Sequence, residues 1–110
     1  MQVDNDIRIC IPLNERTLDE LAAAAESILP MADLIELRTD GLDASESARS
    51  SSQLKQLIGR IDKAVVLTFR ATQEGGYREI SENERRSFWQ YHLDSRAAFF
   101  DIELDHSKMI

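Results

Sequence analysis

The sequence predicts an α/β protein in which parallel strands alternate with helices. Four short segments rich in apolar and β-branched residues recur along the 110 residues, and segments with helical spacing lie between them. The strand segments start roughly 30 residues apart, which is the size of one βα unit. Repeated units of this size favour right-handed crossovers and a parallel sheet with helices outside it.

The composition narrows the class of protein. With 20 acidic and 13 basic side chains, a net charge of −7 and 43% hydrophobic residues, residues 1–110 fit a single soluble domain with one core. The negative charge argues against nucleic acid or an anionic membrane as partners. The start of the chain lacks the features of a signal peptide, and no apolar run approaches the roughly 20 residues that span a bilayer. We therefore expect a cytoplasmic protein.

The first βα unit has a strand over residues 7–13, where apolar side chains alternate with other residues. Cys10 lies within this strand, and we expect it to be a buried, inert thiol. A capping box formed by Thr17 and Glu20 marks the start of a helix. This helix is predicted to end at Pro30, because proline cannot continue a helix.

The second unit has a strand over residues 34–40, followed by a Ser-rich stretch over 43–52. We interpret this stretch as a loop or as the poorly formed first turn of a helix. The helix has its apolar side chains at helical spacing: Leu54, Leu57, Ile58 and Ile61. The third strand is predicted over residues 64–69, where the run is almost entirely apolar, and Arg70 follows it directly.

The third helix follows a loop that contains Gly75 and Gly76, and it begins at a second capping box formed by Ser81 and Glu84. Five residues at helical spacing lie along one side of this helix: Arg85, Phe88, Trp89, His92 and Leu93. The two large aromatic side chains are expected to anchor it to the sheet. The fourth strand is predicted over residues 99–104.

One face of the predicted sheet becomes charged toward the C-terminal ends of three strands. Alternate residues of a strand share a face, and the charged residues on this face are Glu36, Arg38, Arg70, Asp101 and Glu103. A solvated face would explain them in an antiparallel sheet. Both faces of a parallel sheet are normally covered, so ionised groups there need partners or a cavity. The pattern therefore favours a polar pocket at the C-terminal edge of the strands.

The residue types in this pocket suit a small polyhydroxylated acid. Guanidinium groups bind carboxylates bidentately, and carboxylate side chains accept hydrogen bonds from hydroxyl groups. No spacing of Cys and His indicates a metal site, and the Gly pair lacks the frame of a phosphate-binding loop, so neither a metal nor another cofactor is expected. The residues leave two parallel architectures open: a doubly wound sheet, or part of a (β/α)8 barrel.

Four segments, ICIPL, ADLIELRTDGL, VLTFRATQEGG and AFFDIELD, resemble in this order the signatures of type I 3-dehydroquinate dehydratase. The resemblance runs from Ile9 to Asp105, and its most specific part is E-L-R-x-D followed by T-F-R-x-x-x-E-G-G. It implies a (β/α)8 barrel, often a homodimer, that acts as a lyase of the shikimate pathway of aromatic amino-acid biosynthesis. Such enzymes dehydrate 3-dehydroquinate to 3-dehydroshikimate through a Schiff base on a lysine, with a histidine moving the protons.

The resemblance also implies roles for single residues. The substrate-binding residues would be Glu36, Arg38, Arg70 and Glu74. The acidic residues of the fourth strand, Asp101 and Glu103, would be supporting residues. We expect the two arginines to pair with the substrate carboxylate or with neighbouring acids.

The length of the chain is short for this fold. A (β/α)8 barrel takes about 250 residues, so we expect residues 1–110 to form the N-terminal half, with about four βα units and without the family's lysine and histidine. Lys55, Lys63 and His106 are expected to be solvated, and Lys108 to lie in a disordered or variable tail. His92 is expected to pack or to meet water. The 110-residue chain by itself is therefore predicted to be inactive.

Two alternatives remain at the level of the sequence. One is a non-catalytic half-barrel that binds a shikimate-like acid or a partner chain, because its first and fourth strands would be open edges. The other is an open, flavodoxin-like sheet with an unrelated ligand, which the two specific motifs disfavour.

Overall fold

The computed structural model describes residues 8–43, 51–72, 75–76 and 79–102. These residues form one parallel sheet with the strand order β1-β2-β3-β4, which confirms the predicted α/β architecture. The strands are β1 (Cys10–Leu13), β2 (Leu34–Arg38), β3 (Ala64–Thr68) and β4 (Phe99–Asp101). The helices between them are α1 (Leu18–Ile28), α2 (Ser51–Arg60) and α3 (Glu82–His92).

The register of the parallel strands places corresponding residues of β2, β3 and β4 side by side. Leu37 of β2 pairs with Leu67 of β3, which pairs in turn with Phe100 of β4. One residue further along, Thr68 lies between Arg38 and Asp101 in the same register. The charged ends of the strands are therefore brought to one edge of the sheet, as the alternation predicts.

The core lies between one face of the sheet and the three helices. Its central strand residues are fully buried: Ile35, Leu37, Val65 and Leu67. The helices contribute mainly leucine, isoleucine and alanine together with Trp89. The opposite face carries more accessible side chains, and Phe99 on it is 55% exposed. Within the described residues only one face of the sheet is covered, and we call the other one the open face.

The strands are shorter than the sequence predicts. β1 starts at Cys10, and residue 7 lies outside the described residues. β2 ends at Arg38, because Thr39–Gly41 forms a 3-10 turn in which Asp40 folds back onto Arg38. β4 ends at Asp101, and residues 103–104 lie outside the described part of the chain.

Both predicted helix starts are confirmed. The hydroxyl groups of Thr17 and Ser81 accept hydrogen bonds from the main-chain N–H groups of Glu20 and Glu84, each at 3.1 Å. The Glu20 carboxylate accepts from the Thr17 hydroxyl rather than from a backbone amide. After α1 the chain forms a 3-10 turn over Leu29–Met31, so the predicted break at Pro30 is also confirmed.

Helix α3 is anchored through aromatic contacts, as predicted. The ring of Phe88 stacks on Phe69 with centroids 4.1 Å apart, and Trp89 meets Phe100 edge to face at 5.9 Å. Leu93, which the spacing places on the same side of the helix, is 42% exposed. Leu93 caps the end of the helix, where the chain already turns away from the core.

Helix α2 includes Ser51 and Ser52, which fits the interpretation of the Ser-rich stretch as a first helical turn. Residues 44–50 of that stretch lie outside the described residues. Among the helices of the described ranges, none is long and apolar enough to cross a membrane.

Candidate active site

A polar cluster lies at the C-terminal ends of β2, β3 and β4. Its members come from neighbouring strands and from the turns that follow them: Glu36, Arg38, Asp40, Thr68, Arg70 and Asp101. Hydrogen bonds and ion pairs tie these side chains together in three pairs. The cluster contains three of the four predicted substrate-binding residues and one of the two predicted supporting residues.

The first pair joins β2 and β3 across the open face. The hydroxyl group of Thr68 donates a hydrogen bond of 2.6 Å to Oε2 of Glu36. Thr68 is fully buried, whereas Glu36 is half-buried. A short bond of this kind is typical of a hydroxyl donor and an ionised carboxylate. The Glu36 carboxylate is therefore held in place by a neighbouring strand.

The second pair lies within the turn after β2. Arg38 donates from Nε and Nη2 to the two carboxylate oxygens of Asp40, at 3.3 and 3.0 Å. The Asp40 side chain has no exposure and that of Arg38 has 15%. Two parallel bonds to a planar guanidinium compensate a buried carboxylate well. The Thr39 hydroxyl also donates to the carbonyl oxygen of Thr68 at 2.7 Å, which fixes this turn against β3.

The third pair joins the ends of β3 and β4. Nη2 of Arg70 forms an ion pair with Oδ2 of Asp101. About a third of each side chain is exposed, 33% for Arg70 and 36% for Asp101. This guanidinium is therefore the more accessible of the two in the cluster. The expectation that both arginines pair with neighbouring acids agrees with the geometry.

The glycine loop folds back over the end of β3. Its main-chain N–H groups donate to nearby carbonyls, Gly75 to Thr72 at 3.0 Å and Gly76 to Ala71 at 2.8 Å. Gly75 has a φ of 86°, a conformation that favours glycine. A Cβ on Gly76 would lie 1.7 Å from the carbonyl oxygen of Arg70, so only glycine fits this approach. Glu74, the fourth predicted substrate-binding residue, lies outside the described residues.

Cys10 lies on the open face, and the prediction that it is buried is wrong. Its side chain is exposed, because the helices cover the face that Ile11 and Leu13 occupy. Partial burial raises the pKa of the Cys10 thiol, and the negative charge of Glu36 raises it further. The thiol is therefore protonated and weakly nucleophilic at neutral pH.

The lysines of the described part of the chain lie away from the polar cluster. Lys63 directly precedes β3, so it is at the opposite edge of the sheet, where it donates to the carbonyl oxygen of Ala32 at 3.1 Å. Lys55 is expected to be solvated, but its ammonium group pairs with Asp94 at 2.7 Å and lies over the ring of Tyr91. Lys108 lies outside the described residues.

The described histidine is also remote from the cluster. His92 is fully buried on α3, where its ring packs 4.5 Å from that of Phe88. Burial, with a smaller contribution from the charge of Lys55, lowers the pKa of His92 from 6.5 to about 4. His106 and Glu103 lie outside the described residues. In the described ranges no three His, Cys, Asp or Glu side chains come together as metal ligands.

The sequence pattern does not predict the contact between Thr68 and Glu36. The alternation of β3 places Thr68 on the same face as Arg70, but a threonine in an apolar strand is ordinarily explained by its β propensity. The signal that could have found it is the register, which sets Thr68 directly beside the strand that carries Glu36 and Arg38.

Parallel βα units in the strand order β1-β2-β3-β4, with a polar cluster at the carboxyl ends of the strands, are the arrangement found in part of a (β/α)8 barrel. The family model of type I 3-dehydroquinase matches residues 9–110. The chain belongs to the type I 3-dehydroquinase family.

Relatives in this family are similar in sequence to this chain over most of its length. The 3-dehydroquinate dehydratase of Methanococcus vannielii is 32% identical over 101 residues, which cover 91% of this chain and 43% of the relative. That of Methanothermobacter thermautotrophicus is 33% identical over 102 residues, with coverages of 92% and 44%. The bifunctional 3-dehydroquinate dehydratase/shikimate dehydrogenase of Arabidopsis thaliana is 30% identical over 103 residues, 93% of this chain and 17% of that protein.

Solved structures share the fold. The 3-dehydroquinate dehydratase of Enterococcus faecalis has a TM-score of 0.75 at 24% identity, and the similarity covers 93% of this chain and 44% of that one. The chain thus spans less than half the length of the relatives that it matches.

Proposed function

We propose that this chain carries the substrate-binding part of a 3-dehydroquinate dehydratase. The observation that supports the proposal best is the meeting of Glu36, Arg38 and Arg70 at one edge of a parallel sheet, in a chain of this family. The substrate, 3-dehydroquinate, offers one carboxylate, several hydroxyl groups and a ketone. The cluster has a matching group for the first two of these.

Each residue of the cluster has a distinct role in this proposal. Arg70 receives the substrate carboxylate, since its guanidinium is more exposed than that of Arg38. Asp101 supports Arg70 by holding it at the end of β4. Glu103 is proposed as a second supporting residue, on the family resemblance alone. Arg38, fixed by its two bonds to buried Asp40, gives the pocket a rigid positive charge.

The carboxylates of the pocket contact the hydroxyl side of the substrate. Glu36 accepts hydrogen bonds from substrate hydroxyl groups with the oxygen that Thr68 does not engage. Glu74, directly before the glycine pair, is proposed as the fourth substrate-binding residue.

The reaction itself needs groups that we place outside residues 1–110. A Schiff base needs a lysine beside the substrate ketone, with a pKa lowered by a dry or cationic surrounding. The two lysines of the described residues lie elsewhere, one on α2 and one before β3. We therefore propose that residues 1–110 are the N-terminal part of one dehydratase domain, and that this part alone binds substrate without converting it.

The test is binding without turnover. The 110-residue chain is titrated with 3-dehydroquinate, and NMR signals of Glu36, Arg38 and Arg70 are expected to shift while no 3-dehydroshikimate absorbance develops. Arg70→Met should abolish the shifts, whereas Arg60→Met on the exposed surface of α2 should leave them unchanged. Absence of any shift would contradict the binding role. A covalent adduct after borohydride treatment would contradict the proposed absence of the Schiff-base lysine.

The open face favours a second candidate function, a non-catalytic half-barrel that binds a partner chain. Within the described residues β1 and β4 each have a strand neighbour on one side only. Two copies related by a two-fold axis along the strands would set β4 of each beside β1 of the other, all parallel. Eight strands are the number at which interior side chains fill a barrel.

Sedimentation velocity over a range of concentrations tests this candidate. A dimer is expected if the open edges pair, and a charged substitution at exposed Phe99, such as Phe99→Lys, should shift it to monomer. Met31→Lys is the matched control, because Met31 is exposed and lies in the turn after α1, outside the sheet. A well-folded monomer at high concentration would exclude the half-barrel dimer and leave the first proposal untouched.

A further inference from the structure

We propose that Thr68 is a positioning residue for Glu36. It holds one carboxylate oxygen, so that the other is presented to a hydroxyl group of the ligand. The inference rests on the proposed function, in which Glu36 binds substrate, and it adds a residue that the sequence motifs do not assign.

The contact itself has the geometry that the role requires. The Thr68 hydroxyl lies 2.6 Å from Oε2 of Glu36, with the carboxylate as acceptor. Since the hydroxyl has a single proton, donating it to Oε2 fixes the orientation of the carboxylate and leaves Oε1 without a bond from Thr68. Oε1 then remains for a donor from the ligand. A half-buried carboxylate arranged in this way can accept a hydrogen bond from a hydroxyl group of the ligand, but it has no proton to donate to an acceptor.

The direction of the Thr68 hydroxyl is fixed before any ligand arrives. Threonine is β-branched, so its side chain has few rotamers available. Its main chain lies in β3 between β2 and β4, and its carbonyl oxygen accepts a hydrogen bond of 2.7 Å from the hydroxyl of Thr39. Full burial of Thr68 excludes water as a competing partner. The orientation is therefore set by the tertiary structure.

This fixed donor affects binding through the entropy of the glutamate. A free Glu side chain loses considerable rotamer freedom when it is ordered. If Thr68 orders Glu36 in the unliganded chain, the ligand does not bear that cost on binding. Loss of the hydroxyl should thus weaken binding of hydroxyl-bearing ligands, without altering the charge of the pocket.

The variants Thr68→Val and Thr68→Ser separate the hydroxyl from the shape. Valine keeps the branched form and removes the donor, and serine keeps the donor. In the unliganded 110-residue chain, three-bond NMR couplings of Glu36 should report one rotamer for the wild type and the serine variant, and averaging for the valine variant. Titration with 3-dehydroquinate should show affinity about tenfold weaker for Thr68→Val and within about twofold of wild type for Thr68→Ser.

A second measurement needs no substitution at Thr68. Its hydroxyl proton should be visible and protected from exchange in the wild type, and should lose that protection in Glu36→Ala. This reading decides the contact even if the valine variant does not fold, which thermal unfolding of each variant reveals.

The outcomes separate this inference from the proposed function. A single Glu36 rotamer in Thr68→Val, or an exchanging hydroxyl proton in the wild type, overturns the positioning role. Averaged rotamers with unchanged affinity overturn it as well. If the wild type fails to bind 3-dehydroquinate while the couplings change as expected, the proposed function fails and the Thr68 contact stands.

Discussion

Arg38 and Asp40 form a bidentate ion pair at the end of β2, and the Asp40 carboxylate is completely buried. The two residues are separated only by Thr39, and between them the chain leaves the strand in a 3-10 turn. The ion pair therefore holds the guanidinium group of Arg38 and also closes this turn.

Asp40→Asn is expected to destabilise the chain by about 3 kcal/mol, because it removes the buried negative charge that forms two bonds with the mostly buried Arg38. The free energy of unfolding in urea measures this loss. Asp43→Asn is the matched control, since Asp43 pairs with the 82% exposed Arg16 at 3.5 Å. That exposed pair should contribute less than about 1 kcal/mol. Equal effects of the two substitutions would contradict the structural role of Asp40.

Gly76→Ala and Gly59→Ala are expected to change stability in opposite directions. A Cβ at Gly76 would overlap the carbonyl oxygen of Arg70, so the loop must shift at a cost of about 1 to 3 kcal/mol. A Cβ at Gly59, within α2, meets nothing within 4 Å, so alanine should stabilise the helix by about 0.5 to 1 kcal/mol. Urea unfolding of both variants is the measurement. A stabilised Gly76→Ala variant would show that the loop is not held against Arg70.

The parts of the fold that sequence predicts are those that depend on local patterns. Alternation in β2 and β3 sets Glu36 and Arg38 apart from Ile35 and Leu37, and burial follows that division. The hydroxyl caps before α1 and α3 are also local and appear as predicted. The polar edge followed because parallel strands bring their carboxyl ends together.

The parts that sequence does not predict depend on which face the helices cover. The alternation of β1 sets Cys10 on the face of Arg8 and Pro12, so the expectation that Cys10 is buried comes from its residue type and not from the pattern. The helices cover the other face, which carries Ile11 and Leu13. The contact between Thr68 and Glu36 depends on the register of β2 against β3, and the pattern of a single strand does not determine that register. The early end of β2 depends on the ion pair within the turn, which competes with continued strand pairing.

His92 is expected to make the stability of the chain fall between pH 6.5 and about 4. Burial, helped by the charge of Lys55, lowers its pKa in the folded chain to about 4, while Asp94 acts weakly in the opposite sense. The unfolded chain therefore binds a proton in this range that the folded chain does not. The stability is fully present above pH 6.5 and is lost as the pH falls toward 4, by up to about 3 kcal/mol.

His92→Phe isolates this effect, because phenylalanine fits an aromatic cluster with Phe88 and does not titrate. The free energy of unfolding of the wild type and the variant is measured at several pH values. The difference between the two curves should change between pH 6.5 and 4 and stay level above that range. Parallel curves throughout would show that the pKa of His92 is the same in the folded and the unfolded chain, and would contradict the effect of burial.

Cys10 can report the charge of Glu36, because it is the only cysteine of the chain and lies exposed on the open face. The carboxylate of Glu36 raises the pKa of the thiol, in addition to the larger effect of partial burial. Glu36→Gln removes the charge and keeps the shape, so the thiol pKa should fall and alkylation by iodoacetamide at pH 8 should become faster. Glu26→Gln, an exposed position on α1, should leave the rate unchanged.

Because the rate depends on the charge that Glu36 carries next to the thiol, binding of a ligand that covers the carboxylate should alter the alkylation rate as well. An alkylation rate that is the same in Glu36→Gln and wild type would show that the carboxylate points away from the open face, and would count against its role in the pocket.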